Sequence, residues 1–410
     1  MFDLANIILN NPLPIEDKVA LMRENAKFDV ADGEEFTEDE LIELEGIKAK
    51  APPPKVPKVF LSNDCIFNCS YCCCRASLCN KRRYANEPRI LAEDSVKQAL
   101  SIPTRGVFIT SAIYKNADYT EELIIETLKY MRFDLKYKGY IHAKIMPGTD
   151  PQLIEEAGWL ADRLSINIEL PKSEGYDIIA KQKNKQNILT PMGDISKQVA
   201  NHKFEKNSKG RLFAKSGQTT QMIVGAMKEN DRIILNLAAA LYKKYNLKRV
   251  YYSGFGPPSQ QFDFFPENPT PHWRTRRLYQ ADRLLQLYGF KSDEIVPEES
   301  PDMQFDIDPK AAWALRNLNF FPVEVNTADY EALIRVPGIG ITYAKKILFA
   351  RNNHTLTHDL LLQIGVSLKR ARYFITCNGK YDGDNLLGNP LLRNAISDKS
   401  SQIPIIGELI

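Results

Sequence analysis

The run Val56-Pro57-Lys58-Val59-Phe60-Leu61-Ser62-Asn63-Asp64-Cys65-Ile66-Phe67-Asn68-Cys69-Ser70-Tyr71-Cys72 places an apolar, strand-like stretch, Val56 to Leu61, directly before three cysteines spaced CxxxCxxC. That order, strand and then thiols, puts the sulfurs on the loop leaving the end of a strand. Three thiolates bind three irons of a [4Fe-4S] cube and leave the fourth open, so such a cluster chelates a substrate or cofactor as well as passing electrons. The spacing therefore reads as an iron-sulfur cradle with a catalytic vacancy. A zinc site takes four ligands, commonly in CxxC pairs. No second pair and no Cys/His couple lies downstream.

A disulfide framework fits poorly. The chain has 410 residues and seven cysteines, six of them crowded between Cys65 and Cys79, whereas disulfide scaffolds are short and secreted. Cys73, Cys74 and Cys79 are not explained by the spacing: they are bystanders, or they serve a second metal or redox role. Cys377 stands alone and reads as a packing residue. With 44% hydrophobic residues the chain can bury a full core and holds roughly two or three domains. It opens on no basic-then-apolar signal, and no apolar run approaches the roughly 18 residues that span a bilayer. The expectation is a cytoplasmic protein with no membrane partner.

Charge is segregated. Residues 1 to 50 hold thirteen acids against five bases, while residues 309 to 380 hold ten bases against four acids. The chain as a whole is only +3. A basic module joined to a redox site suggests a polyanionic substrate.

The acidic segment predicts two helices, Ile15 to Phe28 and Thr37 to Ile47, the second opened by a Thr37/Glu40 capping box and ended by Pro52, Pro53 and Pro54. From there short apolar runs alternate with amphipathic segments. The strand candidates are Val56 to Leu61, Gly106 to Ser111, Tyr140 to Met146, Leu164 to Leu170, Gln221 to Ala226 and Arg249 to Ser253. Helical stretches at Ala92 to Leu100, Thr120 to Met131 and Pro151 to Leu160 lie between them. This alternation predicts a parallel sheet, open or closed into a barrel. Residues 171 to 217, polar and rich in lysine, predict a long functional or disordered loop. Its Lys181, Lys183 and Lys185 either bind phosphate or form a solvated face. On Ser165-Ile166-Asn167-Ile168-Glu169-Leu170 the period of two puts Ser165, Asn167 and Glu169 on one face. They serve cofactor contacts or a satisfied internal polar network.

Near the C-terminus, Pro337-Gly338-Ile339-Gly340 sits between two helical stretches and is followed by Lys345 and Lys346. The glycines permit a tight turn with positive φ and no side chain between backbone and ligand. The turn opens a helix whose free N–H groups and dipole favour an anion such as phosphate. Asn326 or Thr327 is the expected N-cap of the first helix. A degenerate second copy, Leu361 to Ala371, keeps Gly365, Lys369 and Arg370. The segment closely resembles a helix-hairpin-helix DNA-binding motif, whose contacts position a backbone without reading sequence. Its alternative is a plain turn between core helices or a protein-docking module.

The cysteine spacing, with the aromatic Tyr71 just before the last thiol, resembles the radical S-adenosylmethionine (radical SAM) superfamily. That resemblance implies an α/β fold, a partial (βα)6 TIM-like barrel, carrying a [4Fe-4S] cluster on Cys65, Cys69 and Cys72. It also implies S-adenosyl-L-methionine at the open iron and an electron donor such as flavodoxin or ferredoxin. The superfamily's Gly-Gly-Glu-type turn after the second strand is absent here. Thr110 and Ser111 stand in its place, and Gln221 to Gly225 resembles the glycine-containing strand that flanks adenine. The implied cofactor contacts are Tyr71, Thr110, Ser111, Asn167, Glu169 and Gly225.

With the hairpin, and with the stretches at Thr190 to Asp194, Arg277 to Asp282 and Asp308 to Asn317, the chain resembles the DNA modification/repair radical SAM proteins. That family joins such a barrel to a C-terminal all-α helix-hairpin-helix domain. The implied organisation is an acidic segment 1 to 55, a core 56 to 300, a DNA-binding domain 305 to 380 through Pro337, Gly338, Ile339, Gly340, Lys345, Lys346, Gly365, Lys369 and Arg370, and a tail 381 to 410. The implied activity is radical chemistry on DNA. The alternatives are modification of RNA and, from another class, a non-catalytic DNA-binding scaffold with a structural metal.

Overall fold

The computed structural model describes residues 56–78, 82–103, 105–207, 210–258 and 262–398. The two helices expected in the acidic segment, Cys79 and the end of the tail lie outside the described residues. Six strands, β1 (Lys58–Phe60), β2 (Gly106–Thr110), β3 (Tyr140–Lys144), β4 (Arg163–Ser165), β5 (Gln218–Val224) and β6 (Arg249–Gly254), form one sheet in sequence order. Every neighbouring pair is parallel. Between them run α1 (Pro88–Leu100), α2 (Ala117–Lys129), α3 (Pro151–Leu160), α4 (Glu174–Ile179), α5 (Lys185–Asn201) and α6 (Asp231–Tyr245).

The order itself explains the curvature. Right-handed crossovers that always add the next strand on the same side keep the helices on one face, and the sheet curls away from them into a partial barrel. Consecutive helices accordingly pack on one another, α1 on α2, α2 on α3 and α3 on α5. Covered on both faces, β2 and β5 are buried at every residue. β2 accordingly reads as a continuous apolar run, whereas β5 opens on the polar Gln218-Thr219-Thr220-Gln221 and starts three residues before the expected Gln221. Local chemistry starts the helices: the Asn116 side chain accepts from the Tyr119 N–H to cap α2. Asp150 caps α3 with Pro151 in its first turn.

Two expectations need correction. β4 ends at Ser165, not Leu170, because the Thr220 hydroxyl intrudes where backbone pairing would continue. It accepts from the Ile168 N–H at 2.9 Å and donates to the Ile166 carbonyl at 2.8 Å. Pairing resumes for one residue, Glu169 opposite Met222, with Glu169 at φ +58. Residues 171 to 217 are not a structureless loop either. They hold α4 and α5, and α5 buries Ile188, Pro191, Met192 and Ile195 on one side. Polar residues around this sparse apolar stripe hide its period.

The described residues divide into two compact units, 56–229 with 240–269, and 230–239 with 270–398. The second contains α7 (His272–Leu287), α8 (Ser292–Ile295), α9 (Pro309–Arg316), β7 (Val323–Glu324), α10 (Tyr330–Arg335), α11 (Ile341–Ala350), α12 (His358–Gln363), α13 (Leu368–Ala371), β8 (Ile375–Cys377), β9 (Lys380–Tyr381) and α14 (Leu392–Ile396). Beyond the expected helices there is a small sheet in the order β7-β8-β9. Its strands, two or three residues long, are too short to leave a period-two signature. Asn378 and Gly379, both at positive φ, make the β8–β9 turn. The Glu324 carboxylate accepts from both of their N–H groups, at 3.0 and 2.8 Å.

Candidate active site and nucleic-acid interface

A cavity of about 540 Å³ opens at the C-terminal ends of the strands in the first unit. Its wall is assembled from the tip of each strand and the loop beyond it: the cysteine loop after β1, Ser111 to Ile113 after β2, Lys144 to Pro147 at the end of β3, Asn167 and Glu169 after β4, Gln221 and Ile223 on β5, and Ser253 to Pro258 at the end of β6. Strand ends are where a parallel barrel has unpaired backbone and freely varied loops.

Of the residues singled out from sequence, the structure brings Cys65, Cys69, Cys72, Tyr71, Ser111, Asn167 and Glu169 to this one cavity. Thr110 and Gly225 do not line it. Thr110 is fully buried, its carbonyl accepting from the Leu61 N–H at 2.9 Å. Gly225 sits at φ +88 with its N–H on the Glu229 carboxylate. Ser165 is buried below the cavity rather than lining it.

Glu169 reaches the cavity because of its left-handed backbone, a conformation that costs a non-glycine residue of order 1 kcal/mol and clusters at functional sites. The backbone N–H and carbonyl of Glu169 are held by Gln221 at 3.0 Å and Ile223 at 2.7 Å. Its carboxylate meets Lys183 Nζ at 2.7 Å, and that ammonium also donates to the Tyr71 hydroxyl at 3.3 Å. Burial alone would lower the Lys183 pKa, but the Glu169 carboxylate overrides it and holds the ammonium well above its ordinary value. Burial, and then Glu169, raise the Tyr71 phenol well above its own. In sequence Lys183 belongs to a charged run; the structure makes it a half-buried cation of the cavity.

The cysteine loop is laced from within. Arg83 donates to the carbonyls of Asn63 at 2.6 Å, Cys74 at 2.8 Å and Arg75 at 2.6 Å. Arg75 donates to those of Ser70 and Cys72, each at 3.3 Å. Neither arginine is signalled by local pattern, because their partners are main-chain carbonyls brought near by the fold. Backbone N–H groups point at two sulfurs, Phe67 at Cys65 (3.4 Å) and Cys74 at Cys72 (3.3 Å). Such bonds favour thiolate. Burial pushes Cys69 up to about 11 and raises Cys65. Cys72 is held well below the ordinary thiol value by the neighbouring Cys73 and Cys74 thiols. Those two also face the cavity, with sulfurs 3.8 Å apart.

Among the described residues no three His, Cys, Asp or Glu side chains converge on a point as ligands of a single ion would. An iron-sulfur cube asks for something else, one thiolate per iron on separated corners. Three thiols on one arginine-laced loop at the wall of a roomy cavity fit that demand.

In the second unit, Gly338 stands at φ +89 between α10 and α11, and Gly365 at φ +88 between α12 and α13. The degenerate copy thus repeats the backbone of the first turn. A Cβ on Gly338 would lie 3.1 Å from the Ala371 nitrogen, so one hairpin closes against the other. Pro337 and Ile339 are buried while Gly338, Lys345, Lys346, Gly365 and Lys369 are exposed. Lys346 donates to the Ile364 carbonyl at 3.0 Å. Arg370 is engaged by two carboxylates, Asp308 at 2.8 Å and Asp398, and is not presented like the lysines. Asp329, rather than Asn326 or Thr327, caps α10 by accepting from the Ala332 N–H at 2.7 Å. Asn326 instead pairs through its side-chain amide with the Leu356 backbone, at 3.0 and 2.7 Å.

Residues 319–360 match the family described as helix-hairpin-helix motif. A comparison with curated proteins gives no match. Among solved structures the chain is similar to HydG, a maturase of the [FeFe]-hydrogenase, with TM-score 0.40 and 13% identity over 68% of this chain and 56% of that one. It is similar also to the FeFe-hydrogenase maturase HydG from Carboxydothermus hydrogenoformans, with TM-score 0.42 and 15% identity over 69% and 66%. The chain spans less than two thirds of the length of either. Likeness of this degree carries no inference about activity. No helix among the described residues is long and apolar enough to cross a membrane.

Proposed function

We propose that this chain is a radical SAM enzyme that acts on DNA. The observation that carries the reading is the meeting of Cys65, Cys69 and Cys72 with Tyr71, Asn167, Glu169 and Lys183 around one cavity at the strand ends. The helix-hairpin-helix match at 319–360 supports the polyanionic substrate.

In this reading Cys65, Cys69 and Cys72 hold a [4Fe-4S] cluster. When bound, the cluster and S-adenosylmethionine supply reductive cleavage to methionine and a 5′-deoxyadenosyl radical that abstracts hydrogen from substrate. The chain's own part is placement and exclusion of water. Asn167 and Ser111 offer neutral hydrogen-bonding groups to the ribose and methionyl ends. The Lys183–Glu169 pair fixes charge in the wall, and Lys183 with Tyr71 closes it beside the thiols. The hairpins at Gly338 and Gly365 grip the phosphate backbone, with Lys345, Lys346 and Lys369 adding charge. A flavodoxin or ferredoxin supplies the electron.

The test is anaerobic reconstitution followed by iron and sulfide analysis, then incubation with reductant, S-adenosylmethionine and either duplex DNA or RNA. The expected result is about four irons and four sulfides per chain, 5′-deoxyadenosine, and an altered nucleoside in the mass spectrum of digested DNA. One zinc and no cofactor cleavage would sink the enzyme reading, and an altered nucleoside in RNA alone would sink the DNA substrate.

A further inference from the structure

Within the second unit, Lys310 is buried on α9, and its ammonium donates to the Ile339 carbonyl at 2.6 Å. Ile339 lies inside the Pro337-Gly338-Ile339-Gly340 turn. The ammonium also sits 4.9 Å from the centroid of the Tyr288 ring. A lysine buried this far needs a purpose, since an ammonium is costly to remove from water.

We propose that Lys310 is a positioning residue that aims the hairpin's backbone donors at a nucleic-acid phosphate, an inference that rests on the DNA-binding reading above. The peptide between Ile339 and Gly340 is trans and planar, so its C=O and N–H point in opposite directions. Pinning the Ile339 oxygen inward on Lys310 turns the Gly340 N–H outward, at the start of α11, where a phosphate is bound. The turn is held on two further sides: the Ile339 side chain is fully buried, and Gly338 is pressed against Ala371. Flipping the peptide would strand the ammonium without its acceptor, which costs more than the hydrogen bond itself is worth.

Among the described residues two titratable groups face Lys310. Tyr288 presents its ring, and Asp308, two residues back on the same helix start, is itself taken up by Arg370. Burial lowers the Lys310 pKa to about 7, against the pull of Asp308. The pin is therefore charged below neutrality and neutral above it, and a neutral amine binds a carbonyl roughly half as strongly.

The experiment measures binding of the full chain to a short fluorescein-labelled duplex by anisotropy. Lys310→Met should weaken binding roughly tenfold at every salt concentration, as loss of a charge-assisted hydrogen bond does. The slope of log affinity against log salt should stay unchanged, because a buried ammonium displaces no counterion. The unaltered chain should lose about threefold in affinity from pH 6 to pH 8.5, and Lys310→Met should show no such loss. Equal affinity in the two proteins, or the same pH profile in both, overturns the role of Lys310. Should Lys310→Met fail to fold, the pH profile of Lys345→Ala/Lys346→Ala decides: the decline must persist there, and its disappearance overturns the proposal. Absence of duplex binding by the unaltered chain overturns the DNA reading and this inference with it, whereas normal binding with a flat pH profile overturns this inference alone.

Discussion

Lys183 Nζ and Glu169 Oε1 lie 2.7 Å apart in the wall of the cavity that the three cysteines line. One partner comes from a run of alternating lysines, the other from a residue forced to positive φ by a broken strand. Removing one member of such a pair leaves a buried charge uncompensated, on the order of 3 kcal/mol. Lys183→Met should therefore lower the thermal midpoint of the first unit. Adding Glu169→Gln should restore part of it. A double variant no more stable than Lys183→Met, by calorimetry, would show that the pair is screened by cavity water.

The cysteines divide into two sets by prediction. Alanine at Cys65, Cys69 or Cys72 should abolish cluster assembly, because two thiolates do not hold the cube firmly. Cys74→Ala should keep it, although Cys74 lines the same cavity. Iron and sulfide content after anaerobic reconstitution checks both. Loss of iron in Cys74→Ala would reassign the ligands.

At the hairpin, Lys345→Glu/Lys346→Glu should weaken duplex binding and reduce the salt slope by about two units, one for each phosphate no longer neutralised. Cleavage of S-adenosylmethionine without DNA should survive, because the cysteine cavity belongs to the other unit. Gly338→Val should weaken binding as well, since at φ +89 a side chain is strained and its Cβ would press on the Ala371 backbone at 3.1 Å. Affinity over a salt series, with 5′-deoxyadenosine formation by the same variants, separates the two functions.

Two carboxylates predict opposite responses of stability to pH. Burial penalises the Glu324 carboxylate, but N–H groups from Gly379, Asn326 and Asn378 outweigh that and lower it to about 2. Its contribution is present above the unfolded value near 4.3 and is lost as pH falls toward 2. Glu324→Gln should therefore cost about 1–2 kcal/mol at pH 7 and progressively less below about pH 4. Glu121 is pushed up to about 8 by burial. Its penalty is absent below about pH 4 and grows as pH rises to 8, so Glu121→Gln should stabilise the protein most at pH 8 and above. Urea unfolding of each variant across this range gives the signs.

β2 was legible because a strand covered on both faces reads as an unbroken apolar run, whereas the polar opening of β5, Gln218 to Thr220, was not. All six expected strands overlap observed ones. The cysteine spacing and the glycine turn were legible because each is local. Arg75, Arg83 and Lys310 were not legible as site residues, and nothing local separated Lys183 from Lys181 and Lys185. A lysine that ends in a cavity and one that ends in water look alike until packing decides. α5 was missed for a related reason, its stripe of Ile188, Met192 and Ile195 being thin among polar residues.

By itself the sequence determined the elements whose information is carried within a few residues: strand runs, the CxxxCxxC loop, the helix that starts at Pro151 and the Gly338 turn. Tertiary structure alone decided which of them share a site. It kept Asn167 and Glu169 at the cavity but left Thr110 and Gly225 out of it. It turned Arg370 toward Asp308 and Asp398, and it seated Lys310 beneath the hairpin. The physical reason is one of range: backbone preference and hydrophobic period act over neighbours in sequence, whereas burial, ion pairing and donor-to-carbonyl contacts are settled between residues that only the fold makes adjacent.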